Sequence, residues 1–119
     1  MSDMSPQTKT TIAPDVLLTI ARLSALSVPG VSRMAQVKGG VNRLFKRGSQ
    51  DGVRIEVEDN VLVANLYLIL KRDVNIRQVS RNVQRQVARA LQEMVGMDVS
   101  EVQIHIEDID YEDVEAKPE

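Results

Sequence analysis

The sequence predicts an α+β fold, a two-layer sandwich with two amphipathic helices on one face of a small mixed sheet. Two helical patterns of apolar residues, at about 14–27 and 76–95, are separated by runs with strand-like alternation. The chain has 119 residues, 43% of them hydrophobic, which suffices for one domain with a sizeable core. The predicted element order is β-α-β-β-β-α-β, and two helices beside one sheet give two layers.

The ends of the chain differ in composition from its middle. Residues 1–8 are polar and predict a disordered leader, and residues 111–119 predict an acidic tail. A single domain is expected over residues 9–110. It begins with residues 10–12, a β-prone segment that predicts a short edge strand.

A first helix is predicted after this strand. Pro14 suits the first helical turn, and Asp15 complements the positive end of the helix dipole. The Val-Pro-Gly sequence at 28–30 ends the helix at about Ser27, and residues 31–37 predict a strand. The apolar positions of this helix are Val16, Leu17, Ile20, Leu23, Ala25 and Leu26.

The middle of the chain predicts a loop followed by an antiparallel hairpin. Residues 38–52 contain four glycines and predict a mobile loop, compatible with one helical turn at 41–45. Residues 53–58 alternate between apolar and charged side chains, and residues 61–70 form a nearly continuous apolar run. The Asp-Asn pair at 59–60 suits the turn between them.

The second helix carries two opposed stripes. Asp73 or Asn75 is expected to cap it and Gly96 to end it, before a last alternating strand around residues 102–107. Its apolar stripe consists of Ile76, Val79, Val83, Val87, Ala90, Leu91 and Met94. Its other side carries a four-residue arginine ladder of Arg77, Arg81, Arg85 and Arg89. Like charges four residues apart repel by roughly 0.2–0.5 kcal/mol per pair.

Composition excludes several classes of function. The chain has no Cys, which excludes disulfides, zinc–thiolate sites and thiol catalysis. Aromatic residues are only 3%, too few for base-stacking platforms. No signal peptide or membrane-spanning run is apparent, and we expect a cytoplasmic protein.

Charge is unevenly distributed along the chain. From Asp98 to the end there are nine acids and one base, a local charge of −8, whereas the preceding residues carry +6. A basic body can bind anionic partners, and the acidic end can compete for the same surface. The acids after Asp98 are therefore a candidate partner of the arginine ladder within the chain, and Glu93 is a second one.

Catalytic, metal and cofactor sites are not predicted. His105 is the only histidine, and its alternation with Gln103 and Glu107 predicts a surface position on a polar strand face. The acidic stretch at 107–115 lacks the glycine and ligand spacing of a calcium-binding loop, which favours a solvated tail. No glycine-rich loop precedes a Lys-Ser or Lys-Thr pair, so we expect no enzyme activity, cofactor or small-molecule substrate.

Two basic features are candidate contact surfaces. One is the loop that contains Arg43, Lys46 and Arg47, where Leu44 and Phe45 suit insertion at an anionic membrane surface. The alternative is that these two side chains cover the edge of the core while the bases are solvated. The other feature is the arginine ladder, which is either a solvated helix face or a site for phosphates or an acidic protein.

Several segments resemble the alkaline shock protein family of bacterial envelope-stress proteins. They are Thr-Ile-Ala-Pro-Asp-Val-Leu-Leu-Thr-Ile-Ala from residue 11, Val-Pro-Gly-Val at 28–31, Gly-Val-Arg-Ile-Glu-Val from residue 52, Val-Asn-Ile at 74–76, Met-Val-Gly-Met-Asp-Val at 94–99 and Val-Ser-Glu-Val-Gln-Ile-His-Ile-Glu-Asp-Ile from residue 99. Their order and spacing cover residues 11–110. The chain departs from the family pattern at Ser27, where a glutamate is common, and at Asp73, where a glycine is frequent.

The resemblance implies a non-enzymatic scaffold linked to cell-envelope or alkaline stress. Some members self-associate and are held at the membrane by a small anchor protein. It therefore implies a homo-oligomer or a protein partner, in the cytoplasm or at the inner face of the cell membrane. The alternative function is nucleic-acid binding through the arginine ladder and the basic loop.

Overall fold

A computed structural model of the protein describes residues 12–36, 49–50, 52–59 and 61–111. Within these ranges two helices and five strands form one sheet with a helical layer. The helices are α1 (Pro14–Leu26) and α2 (Ile76–Val95). The strands are β1 (Val31–Met34), β2 (Ser49–Gln50), β3 (Val53–Glu58), β4 (Val61–Lys71) and β5 (Asp98–Asp110). The predicted α+β class is confirmed.

Strand β4 is the centre of the sheet because three other strands pair with it. β3 lies antiparallel to its first half, with Val53 opposite Leu66 and Glu58 opposite Val61, as the predicted hairpin requires. β1 lies antiparallel to its last residues, on the same side as β3. β5 runs parallel to β4 along its whole other side, so the sheet is mixed.

The core lies between the sheet and the helices. Alternate side chains of β4 are fully buried on this side, namely Leu62, Ala64, Leu66, Leu68 and Leu70. The helices bury Leu17, Leu18, Ala21 and Ala25 from α1 and Val79, Val83, Val87 and Leu91 from α2. α1 packs against β1 and β3, whereas α2 packs against β5 and α1. Because α2 connects the parallel strands β4 and β5, it forms the crossover that parallel pairing needs.

The turn between α1 and β1 requires glycine. Gly30 has a φ of 103°, a backbone conformation that L side chains rarely adopt. A Cβ atom at Gly30 would lie 2.7 Å from Cγ2 of Val79 on α2. The Val-Pro-Gly sequence therefore ends α1 and also allows the turn after it to lie close to α2.

Several boundaries differ from the predicted ones. Residues 10 and 11 lie outside the described residues, and Ile12 packs against the core without belonging to a strand. β1 ends at Met34, earlier than predicted, although the Ala35 amide still donates to the Tyr67 carbonyl at 2.8 Å. β2 is a short strand within the predicted loop and pairs with β3. Most of that loop, the predicted leader, the helical turn at 41–45 and the tail after Tyr111 lie outside the described residues.

Candidate interaction surfaces

The bounds of α2 place its arginines on one side of the molecule. The helix begins after Asn75, whose Oδ1 accepts a hydrogen bond from the Gln78 amide at 3.0 Å, and ends at Gly96, whose φ is 81°. Both predicted termini are therefore confirmed, with Asn75 rather than Asp73 as the cap. Since the buried stripe faces the sheet, the side opposite it faces away from the core. We call this side the arginine face; it carries Arg77, Arg81, Arg85 and Arg89, all exposed.

The arginine face is electrostatically unbalanced. Arg89 forms an exposed ion pair with Glu93, 3.2 Å from Nε to Oε2, as expected for a screening acid. Arg77, Arg81 and Arg85 form no ion pair with any residue that the structure describes. At a rise of about 1.5 Å per residue the four guanidinium groups leave the helix at intervals of about 6 Å over about 18 Å. Three neighbouring like-charge pairs repel one another along this row.

Apolar side chains lie beside the arginine face on the outer side of α1. Val16 and Leu23 are 46% and 55% exposed, and both lie opposite the buried side of their helix. Both are among the apolar positions that the sequence assigns to this helix, but α1 buries the stripe that contains Leu17 instead. Ile76 and Met94 of the predicted α2 stripe are also exposed, at the two ends of that helix.

The other side of the sheet is not covered by any element that the structure describes. We call it the open sheet face; its centre consists of the half-buried β4 residues Val61, Val63, Asn65, Tyr67 and Ile69. Residues paired between neighbouring strands share a face of the sheet. The β5 residues on this face are therefore Asp98, Glu101, Gln103, His105, Asp108 and Asp110, in register with alternate residues of β4.

Acidic side chains concentrate at one end of the open sheet face. The strand register places Glu58 and Asp98 on either side of Val61. In the same way, Glu56 and Glu101 flank Val63. We call these two sets the acidic rows. All four carboxylates are exposed, and none of them forms an ion pair within the described part of the chain.

His105 lies at the middle of the open sheet face. Its ring stacks on Tyr67, with centroids 4.5 Å apart and planes inclined by 12°, and its Nε2 lies 2.9 Å from Asn65 Oδ1. The predicted polar strand face is correct, but the imidazole is half-buried by these contacts. The alternation in the sequence shows on which face of its strand His105 lies, whereas the stacking of His105 on Tyr67 depends on the register of β4 and β5.

The opposite end of the open sheet face is held by hydrogen bonds between β1 and β5. Asp110 accepts from Ser32 Oγ at 2.7 Å and from Arg33 Nη1 at 3.0 Å. A shallow groove lies nearby, where β4 leads into α2, with Arg72, Ile76, Ile109 and Tyr111 among its lining residues. Asp110 belongs to the predicted acidic end of the chain. Its hydrogen bonds with Ser32 and Arg33 attach it to the sheet rather than to the arginine ladder.

The remaining predicted site residues are not in the described ranges. Arg43, Lys46 and Arg47, with the membrane-contact candidates Leu44 and Phe45, lie outside the described residues. Among the described residues, no group of three His, Cys, Asp or Glu side chains could hold a metal ion. Within the same ranges, no helix combines the length and apolar character needed to cross a membrane.

The fold and these surfaces define a class: a small α+β sandwich whose charged side chains lie on its two outer faces. A family model for the alkaline shock protein 23 family, described by a cell envelope-related function, matches residues 2–111. The chain therefore belongs to this family, as the sequence motifs predicted. Asp73, where the resemblance predicts a glycine, has a φ of 64°, in the left-handed region that glycine enters without steric cost.

Individual proteins are similar to this chain at the level of sequence and of fold. The uncharacterized protein YqhY of Bacillus subtilis is 30% identical over 106 residues, which cover 87% of this chain and 78% of YqhY. The uncharacterized protein YloU of the same organism is 24% identical over 102 residues, covering 82% and 85% of the two chains. A doubly substituted MamM C-terminal domain has a similar fold, with a TM-score of 0.52 at 11% identity over 82% of this chain and 95% of that one.

Proposed function

We propose that this protein is a non-enzymatic interaction protein of the cell envelope, which self-associates or docks on a partner through the arginine face of α2. The observation that carries the proposal is the row of Arg77, Arg81 and Arg85, exposed and without ion pairs among the described residues. Such a row lowers the stability of the free helix, because its neighbours repel. A partner with carboxylates in the same spacing removes that repulsion and adds charge-assisted hydrogen bonds.

A protein partner fits this face better than a small ligand does. The arginines lie on a convex helix surface rather than in a cleft, so they cannot surround a small molecule. Arginine is enriched at protein interfaces, where its planar guanidinium group binds carboxylates in bidentate geometry. Val16 and Leu23 on the adjacent outer side of α1 supply apolar area that a protein partner would bury.

Capture experiments with matched variants test this function. Tagged wild-type protein, Arg81→Glu/Arg85→Glu and the charge-retaining Arg81→Lys/Arg85→Lys are each incubated with an envelope fraction and with untagged protein. We expect the wild type to retain a partner or a second copy, the lysine variant to retain it more weakly and the glutamate variant to lose it. Equal retention by all three variants would show that the arginine face is not the contact surface.

Nucleic-acid binding is the second candidate, favoured by the absence of acids between Arg77 and Arg89 on the helix. A row of arginines about 6 Å apart can neutralise several phosphates of one strand. Binding of this kind weakens by about 0.7–0.9 in log K per contact for each tenfold increase in salt. Fluorescence anisotropy with labelled single- and double-stranded oligonucleotides, at about 50 and 200 mM salt, measures this slope. If the oligonucleotides do not bind at the lower salt concentration, nucleic-acid binding is excluded.

A further inference from the structure

We propose that the partner of the arginine face is the open sheet face of a second copy of this chain, so that copies stack head to tail. This inference rests on the proposed function and names its partner. The two surfaces lie on opposite sides of the molecule, because the helices cover one side of the sheet and the acidic rows lie on the other. The arginines and carboxylates of one copy therefore cannot meet each other.

The charges of the two surfaces are complementary. The acidic rows provide four exposed carboxylates, those of Glu56, Glu58, Asp98 and Glu101, without ion pairs among the described residues. The arginine face provides four guanidinium groups, and among the described residues only that of Arg89 has an ion-pair partner.

The spacing of the charges also matches. Carboxylates two residues apart on one strand are about 6.7 Å apart along the strand axis. Arginines four residues apart on a helix are separated by about 6 Å along the helix axis. Two successive arginines can thus face Glu56 and Glu58, or Asp98 and Glu101, which pair with the β4 residues Val61 and Val63, with a mismatch below about 1 Å.

Apolar residues accompany the charges on both surfaces. Val61 and Val63 lie between the carboxylates of the acidic rows and are half-buried. Val16 and Leu23 lie beside the arginine face and are about half exposed. α2 packs over β5, so a copy displaced along the layer normal brings its arginines to the β5 carboxylates Asp98 and Glu101.

Symmetric pairing is disfavoured at both surfaces. Two arginine faces would bring guanidinium groups together, and two sets of acidic rows would bring carboxylates together. Like charges across an interface reduce affinity and exclude such pairs. The contact is therefore heterologous, and a heterologous contact that does not close into a ring adds further copies.

Neutralising one surface at a time tests the stacking. Arg81→Gln/Arg85→Gln leaves the acidic rows intact, and Glu56→Gln/Glu101→Gln leaves the arginine face intact. All four side chains are exposed, so both variants are expected to fold, which circular dichroism and thermal unfolding check. Sedimentation velocity at about 50 mM salt then measures association, and each pair of substitutions should weaken it at least about tenfold.

Mixing the two variants gives the sharper result. Each variant retains one functional surface, so the mixture should form a one-to-one pair that does not grow, while each variant alone stays monomeric. Asp15→Asn/Asp73→Asn removes two exposed acids that are not on the open sheet face, and it should assemble as the wild type does.

Specific outcomes overturn the stacking without overturning the proposed function. If the arginine variant loses association and the Glu56/Glu101 variant keeps it, the arginine face binds a different surface. If the wild type stays monomeric at about 200 μM and low salt, the stacking is wrong, and capture of a different partner remains the test of the proposed function. Failure of the mixed variants to pair, with both folded, also overturns it.

Discussion

Asp73 is a non-glycine residue in a turn whose backbone conformation favours glycine. It lies between β4 and α2 with a φ of 64°, in the left-handed region. Aspartate enters this region more readily than most L residues because its short side chain hydrogen-bonds locally, but glycine does so without steric cost. Its ion pair with Arg72, 3.5 Å from Nε to Oδ2, is exposed and adds little stability.

Substitutions at Asp73 should rank by their tolerance of positive φ. Asp73→Gly should raise the free energy of unfolding by up to about 1 kcal/mol, whereas Asp73→Ala should lower it by about 1 kcal/mol. Asp73→Asn, which removes the charge and keeps the tolerance, is the control and should match the wild type. Urea unfolding followed by circular dichroism measures all three. An alanine variant as stable as the glycine variant would contradict the assignment of strain to this position.

The helix α2 shows how far periodicity predicts an element. Its limits and its end at Gly96 were readable from the sequence, since they depend on local chemistry, whereas the sequence offered both Asp73 and Asn75 as the cap and the structure shows Asn75. The middle of its apolar stripe is buried, but Ile76 and Met94 at its ends are 47% and 68% exposed. Periodicity identifies the side of a helix and cannot show where the sheet beneath it stops.

Two neighbouring positions of this stripe should therefore respond differently to truncation. Leu91 is fully buried, so Leu91→Ala should lower the free energy of unfolding by about 2–5 kcal/mol. Met94→Ala, at an exposed position of the same helix, should change it by less than about 0.5 kcal/mol. Chemical denaturation of the two variants under one set of conditions makes the comparison. Similar losses at both positions would mean that the last turn of α2 is covered in solution.

The arginine face should reduce the stability of α2 in the free protein. Arg85→Gln removes the repulsion with Arg81 and with Arg89, so it should raise the free energy of unfolding by about 0.4–1 kcal/mol at low salt. Arg85→Lys keeps the charge and serves as the control, with no gain expected. The difference should disappear at about 1 M salt, where repulsion is screened. A gain that persists at high salt would have a cause other than charge repulsion.

At the scale of the whole molecule, positive and negative side chains lie on opposite faces. The arginines are on the outer side of α2, and the carboxylates of the acidic rows are on the open sheet face. The sequence suggested that acids after Asp98 bind the arginine ladder within one chain. The structure places Asp98 and Glu101 on the open sheet face and bonds Asp110 to Ser32 and Arg33. Within the described residues, the arginine ladder retains only Glu93 as a partner. The arginines of α2 and the carboxylates of the open sheet face are therefore available to bind a second molecule.

The proposed stacking predicts a characteristic dependence on salt. Raising the salt concentration from about 0.1 M to about 1 M shortens the Debye length from about 10 Å to about 3 Å. Exposed arginine–carboxylate contacts weaken under these conditions, so sedimentation should show smaller assemblies at the higher concentration. Unfolding of the wild type in the same buffers is the control for stability. Assemblies that grow with salt would point to an apolar contact instead, because salting-out favours burial of apolar surface.

The sequence by itself determined the class of fold, the limits of both helices, the hairpin and the family. These follow from periodicity, capping residues and turn residues, which act over a few neighbouring positions. Only the tertiary structure decided that Val16 and Leu23 are exposed, that His105 stacks on Tyr67, and that Gly30 approaches Val79. It also placed the carboxylates of β3 and β5 in common rows on the side away from the arginines. Such relations depend on strand register and on which residues lie across the core, and residues far apart in the chain meet only when the whole sheet forms.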